Sequence, residues 1–383
     1  MRGNVDRFDA TIAGWAFDSS QPDQAVEITV SHGERELYRC KADLFRSDLV
    51  PVLGSGNHGF SFDPANIEGI ADGMVLVVQA LGSSSFVMKE EAWVSQNIVA
   101  EGVGGWLFLQ NDSNDVMRRM AGLVANAVTK INETAMSFVT REAMMAKFGI
   151  PYRAVIIPEK NVACAQFCSL IEVSDSRPVP RILEQARSFG CDILYPLEGL
   201  LGDPGNFYLK TDTHMNANGY EYILAVLKSE MPDYFGLEVV TPREENEAFC
   251  GDLGSKLLPK RTEATEQFKF PADTHQRFVI NEVAHALSSG STLRGSAILV
   301  ANDLAPRRKL LMFGTSTAYH FLPVVAQFFS EVLFIWENTF DYALIQRFAP
   351  DCVLWLAAER FLPTGCNDML GLPDTLAFLS EKL

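Results

Sequence analysis

The sequence predicts an α/β domain preceded by a small β-sandwich, and three observations carry that prediction. Beyond about residue 150, short continuously apolar runs alternate with segments of helical period. Strands read this way when helices cover both faces of a parallel sheet. Before residue 97 the pattern differs: β-rich runs recur between turn residues without a helical period, as in an antiparallel sandwich. A length of 383 residues accommodates both. The predicted boundaries are 1–97 and 98–383.

In the first domain, residues 11–17, 25–31, 36–40 and 74–80 read as strands. Val26, Ile28 and Val30 alternate with polar neighbours, as a half-buried strand requires. Ser31-His32-Gly33-Glu34 reads as a hairpin turn. Gly102-Val-Gly-Gly-Trp-Leu-Phe108 is a glycine-rich approach to a strand. Residues 114–148 then read as one long helix, with Met117, Met120, Leu123, Val124, Val128 and Ile131 at helical spacing and Pro151 beyond its end. Strand 152–157, helix 180–189, strand 191–195 and helix 217–231 follow. Residues 232–300 carry weak patterning and read as loops, with strand character near 278–280 and 296–300. The end of the chain alternates clearly: strand 309–313, helix 318–329, strand 332–336, helix 340–348 and strand 352–356.

A hydrophobic content of 48% describes a globular chain. The net charge of −16 argues against nucleic acid as a partner, because phosphate binding needs clustered Lys and Arg. It equally disfavours an anionic membrane surface. No apolar signal region opens the sequence, and no run reaches the roughly eighteen apolar residues that span a bilayer. The expectation is a cytoplasmic protein without a transmembrane segment, or a periplasmic one if an export signal precedes this sequence. The seven cysteines, Cys40, Cys164, Cys168, Cys191, Cys250, Cys352 and Cys366, are odd in number and dispersed. They read as reduced thiols.

Two short segments carry chemistry. Asp212-Thr-His214 offers an acid and an imidazole two residues apart, which face the same way on extended backbone. Gly314-Thr-Ser316 places a serine straight after an apolar strand. Serine is a weak nucleophile until a base takes its proton, and an acid beside the base fixes its tautomer. Each segment also has a plainer reading. Asp-x-His triplets occur in surface loops, and Gly-Thr-Ser after a strand is a common helix N-cap. His320, four residues beyond Ser316, is a rival base or a packing residue. His32 and His58 read as turn residues, and His275 and His285 fall in the weakly patterned region.

From Gly102 to Leu362 the chain resembles the SGNH-like O-acetyltransferases of bacterial exopolysaccharides, the alginate O-acetylation type. The matching stretches are Gly104-Gly-Trp-Leu-Phe108, Ile157-Pro-Glu-Lys160, Tyr208-Leu-Lys-Thr-Asp-Thr-His214 with Asn218-Gly219, Gly251-Asp-Leu253, Leu311-Met-Phe-Gly-Thr-Ser316, Pro350-Asp-Cys-Val-Leu and Glu359-Arg-Phe-Leu362. The resemblance implies a flavodoxin-like SGNH-hydrolase-type core. In it Ser316 is nucleophile, His214 base and Asp212 the partner of the base. Two positions depart from the family pattern: Met215 stands where Trp is usual, and Thr315 where Asp is frequent.

The expected function is O-acetyl transfer to a glycan or exopolysaccharide hydroxyl. A carbohydrate acetylesterase and a non-catalytic glycan-binding protein are the alternatives. No bound cofactor or metal is called for. The acetyl donor is acetyl-CoA or an acetyl group delivered by a membrane-bound partner. Asn338 is a candidate second oxyanion donor or a helix cap, and Arg360 a sugar-binding cation or a partner of Glu359. The first domain resembles small β modules attached to bacterial glycosyltransferases, through Gly14-Trp-Ala-Phe-Asp18, Phe45-Arg46-x-Asp48 and Gly59-Phe60. Trp15 is accordingly a candidate sugar platform, or a core residue.

Overall fold

A computed structural model describes the chain apart from residues 10, 65–66, 71–73, 94–97, 125–127, 273, 280–296, 365–367 and 369–383. Cys366 and His285 lie outside the described residues. Two compact units are present: Met1–Ala100 with Gln110–Arg118, and Glu101–Leu109 with Arg119–Leu383. Among the described residues no helix is long and apolar enough to cross a membrane.

The first unit holds two four-stranded antiparallel sheets. One runs in the order Arg2–Phe8, Ile12–Phe17, Asn57–Phe62, Leu44–Phe45, and the other Arg35–Ala42, Val26–His32, Val75–Leu81, Phe86–Ala92. Ile12, Ala16 and Phe60 from the first sheet join Ile28, Val30 and Val78 from the second in one core. The four strands read from the sequence are present. Both Arg2–Phe8 and Phe86–Ala92 are partly exposed; the first escapes that reading because it is mostly polar, the second because Lys89, Glu90 and Glu91 run together without alternation. His58 is a correction: it is buried within Asn57–Phe62 rather than in a turn, with Phe17 edge-on at 4.8 Å.

The second unit is built on a six-stranded sheet. Its order is Tyr152–Ile157, Cys352–Ala358, Lys309–Gly314, Glu331–Ile335, Ala297–Asn302, Thr274–Val279. The first four are parallel. Ala297–Asn302 pairs antiparallel with both its neighbours, so the sheet is mixed rather than wholly parallel. The antiparallel pairing involves strands from the weakly patterned region, where alternation was too faint to give direction. The strand expected at 191–195 reduces to one parallel bridge between Leu194 and Val155.

All seven residues of Cys352–Ala358 are buried, which requires cover on both faces. Val353, Trp355 and Ala357 pack with Ile131, Ala135 and Phe138 of the helix Val128–Phe148 and with Val179 and Ile182 of the helix Pro178–Ser188. On the opposite face the helix Ser316–Val325 packs on the central strands, and Ala217–Glu230 packs on that helix. Each large apolar side chain so buried contributes about 1.5–3 kcal/mol. The long helix predicted over residues 114–148 is two helices, Val116–Met120 and Val128–Phe148. Between them Gly122 has φ +71°, and a Cβ there would lie 2.6 Å from Ser176 Oγ. A left-handed glycine ends a helix even where the apolar period runs on.

Candidate active site

The strand Lys309–Gly314 turns into the helix Ser316–Val325 through a single residue, Thr315. Gly314 permits this. A Cβ there would sit 2.0 Å from the Leu356 carbonyl oxygen and 2.7 Å from Ala318 Cβ. Thr315 is the extended N-cap, but its side chain makes no capping bond. Ser316 is the first helical residue, not the cap, so the capping explanation of its hydroxyl does not apply. It stands at the carboxyl edge of the parallel strands, beside helix N–H groups that lack intrahelical acceptors.

The Ser316 hydroxyl instead meets His214, with Oγ 2.8 Å from Nε2. Nδ1 of His214 lies 2.6 Å from Asp212 Oδ1, which also accepts the His214 backbone N–H at 2.9 Å. A ring nitrogen facing a carboxylate carries the proton, which leaves Nε2 to accept from the serine hydroxyl. The backbone here is not the extended one assumed from the sequence. Residues 209–214 form a tight loop closed by Leu209 N–H donating to the His214 carbonyl at 3.2 Å.

Burial works to raise the Asp212 carboxyl, but the His214 hydrogen bond and charge and the N–H groups of Asp252 and His214 outweigh it. Its value is held far below the ordinary carboxylate range. A folded-state value below the unfolded one means that Asp212's contribution to stability is complete above the ordinary value of about 4. It is lost as pH falls through the folded value. The stability difference between parent and Asp212→Asn, measured by urea midpoints, is therefore expected to be largest near neutral pH and to shrink below about pH 4. A difference that stays constant down to about pH 3 would contradict the assignment.

Three residues to which the sequence assigned no role hold this loop. Asp252 accepts the Thr213 N–H at 2.8 Å and its hydroxyl at 2.6 Å. Glu263 accepts the backbone N–H groups of Lys210 and Thr211 at 2.9 and 2.6 Å, and the Thr211 hydroxyl at 2.7 Å. Lys160, 1% exposed, donates to the carbonyls of Leu107, Lys210 and Asp212 at 2.6, 2.9 and 2.9 Å. Lys160 and Asp252 lie within the stretches that carry the resemblance, which is the signal that could have found them. Glu263 has none.

His320 does not reach Ser316 as a base would. Its ring stands 4.5 Å from that of His214. Crowding by protein, then the charge of His214, hold its imidazole below the ordinary range; its solvent-open edge moderates the first effect. Asn338 is not the helix cap, because Asp341 caps Tyr342–Phe348 by accepting the Leu344 N–H at 3.0 Å. The Asn338 carbonyl accepts from Arg141 and Trp355, and its side-chain oxygen is buried without a partner. Arg360 is buried in an ion pair with Glu159, its Nη1 donating to both carboxylate oxygens at 2.8 and 3.0 Å. Glu359 pairs instead with Arg177 at 3.0 Å and accepts from the Tyr195 hydroxyl at 2.7 Å. Trp15 belongs to the first unit and is half-buried. It alternates with the core residues Ile12 and Ala16 and does not join their cluster.

Asp212, His214 and Asp252 offer three ligand atoms within 4.8 Å of one another. Each residue is already engaged: Asp212 with His214 and the Asp252 N–H, and Asp252 with Thr213. That is the donor pattern of an oriented imidazole, not of an open coordination sphere. Beside His214 lies a cleft of 240 Å³ lined by Met215, Phe249, Phe268, Tyr319 and His320 among others.

No protein-family model and no curated protein matches the sequence. Solved structures are similar in fold. Bacillus cereus PatB1 superposes with TM-score 0.53 at 17% identity, over 69% of this chain and 97% of that one. PatB1 with a sulfonyl adduct gives 0.52 at 15%, over 69% and 94%. The O-acetyltransferase domain of Pseudomonas putida AlgJ gives 0.47 at 18%, over 74% and 99%. At these identities the PatB1 likeness is one of α/β fold.

Proposed function

We propose that the second unit is an SGNH-hydrolase-type acyltransferase that moves an acetyl group to a hydroxyl of a bacterial exopolysaccharide or other glycan. The observation that carries this reading is the continuous series Ser316 Oγ–His214 Nε2 at 2.8 Å and His214 Nδ1–Asp212 Oδ1 at 2.6 Å, at the start of a helix. Ser316 Oγ attacks the donor's acyl carbon as His214 takes its proton. The oxyanion is held by helix N–H groups next to Ser316. The bond to the leaving group breaks, and that group departs with the proton from His214. A sugar hydroxyl then gives its proton to His214, its oxygen bonds to the acyl carbon, and Ser316 Oγ leaves and recovers the proton. Water in place of the sugar makes the same machinery an esterase. The sequence resemblance favours transfer, with acetyl-CoA or a partner-delivered acetyl group as donor. The first unit, on the same reading, is a glycan-binding module.

The test is adduct mapping. Brief treatment with p-nitrophenyl acetate should add one acetyl group, found on Ser316 by peptide mass mapping. PatB1 has been seen with a sulfonyl adduct, so an aryl sulfonyl fluoride is the second probe and should modify the same residue. Neither reagent modifying Ser316, or both modifying another side chain, would overturn the reading.

A further inference from the structure

Resting on that reading, we propose that the cleft beside His214 is the acceptor subsite and that it takes an uncharged pyranose and turns away uronates. Its 240 Å³ lie against the imidazole that must receive the acceptor's proton. One wall is the strand pair Arg243–Phe249 and Glu263–Phe268, which presents Phe249 and Phe268. The other wall brings Met215, Tyr220 and Tyr319. Met215, standing where the resemblance expects Trp, is thus a cleft residue. Apolar walls with a few polar groups suit the C–H face of a sugar ring.

Charge sets the class of sugar. Asp212 and Glu266 line the cleft, and among the described residues no Lys or Arg does. The neighbouring Arg243 stacks on Phe268 at 5.4 Å and is shared between Glu221 and Glu266. One guanidinium between two carboxylates leaves the rim net negative. The strand Arg243–Phe249 carries three further glutamates, Glu244, Glu245 and Glu247, of which Glu244 is paired with Lys269 at 2.8 Å. A uronate polymer such as alginate would bring like charge to this wall, which an interface penalises strongly.

The full-length acetyl-enzyme, formed with p-nitrophenyl acetate, is mixed with methyl glucoside, mannoside or galactoside, or with the matching methyl uronide. Loss of acetyl is followed by intact mass. At least one neutral glycoside should accelerate deacylation, and should exceed its uronide by about tenfold. That margin should narrow in high salt, because only the charged acceptor is repelled. Glu266→Lys should narrow it as well. A uronide equal to or faster than its neutral partner, or no acceleration by any glycoside, would overturn the proposal and leave the serine acyl-enzyme intact. Failure of the underlying reading differs, since no acetyl-enzyme would form. In that case saturation-transfer NMR on Ser316→Ala still decides the matter: neutral glycosides should bind and uronides should not, and the reverse order or no binding sinks the proposal.

Discussion

Replacing Ser316 by Ala should remove the acetyl-enzyme entirely and lower turnover by about 10⁴- to 10⁶-fold. The size follows from the geometry. On the proposed mechanism Ser316 Oγ is the atom that bonds to the acyl carbon, and its hydrogen bond to His214 at 2.8 Å is the route its proton would take. His214→Ala should cost nearly as much, because an unassisted serine hydroxyl stays protonated at neutral pH. The two losses should not add. With either partner gone the other has nothing to act on, so the double variant should be no slower than the worse single one. Asp212→Asn should cost less, about 10³- to 10⁴-fold, since it disturbs the imidazole's tautomer and leaves its position. Pre-steady-state bursts with p-nitrophenyl acetate on the parent and the four variants would measure all of this. Additive losses in the double variant would mean that Ser316 and His214 act independently, and the mechanism would fail.

The residues that were legible in the sequence are those whose physics is local. Cys352–Ala358 and Lys309–Gly314 announce themselves because burial on both faces leaves no polar position beyond the partly exposed first residue, Lys309. Asp212, His214 and Ser316 were found because acid, imidazole and hydroxyl are chemically distinctive types. What escaped depends on distant partners or on single backbone positions. Glu263 acts through backbone N–H groups of Lys210 and Thr211, about fifty positions away, and such acceptors leave no pattern. The strand Arg243–Phe249 has the sequence REENEAF, whose glutamates are poor strand formers. It forms because Glu263–Phe268 pairs with it. The break near Gly122 lies inside an unbroken apolar period. For Arg360 the sequence offers a sugar or its neighbour Glu359, yet the fold brings Glu159 to it. In each case the missing information was tertiary.

Replacing Lys160 by Met should lower stability by about 3–5 kcal/mol and bring down turnover with it. An ammonium group has three donors, and here each has one acceptor: the carbonyls of Leu107, Lys210 and Asp212. Its other neighbours are the rings of Trp106 and Phe108, at 5.1 and 5.3 Å. Burial is the main effect on its pKa, which falls to about 8 against the pull of nearby acidic groups. Methionine nearly matches the side chain's length but removes all three bonds, and only the Lys210 carbonyl keeps another donor, the Leu107 N–H at 2.9 Å; each buried carbonyl left unpaired costs about 1–3 kcal/mol. A fall in Tm of about 10 °C is the expected size. A Tm within about a degree of the parent would show that the loop stands without the lysine. The accompanying loss of turnover is what separates this site from an ordinary buried cation. One of the three carbonyls belongs to Asp212 itself, and the other two belong to the segments on either side of it in space, Leu107 and Lys210. With the ammonium gone, Asp252 and Glu263 still hold Thr213 and Thr211, and the Leu107 N–H still donates to the Lys210 carbonyl at 2.9 Å, but the Asp212 carbonyl loses its tie to the ammonium. The Asp212 carboxylate then loses the fixed position that keeps His214 aimed at Ser316, so folding and chemistry should fail together.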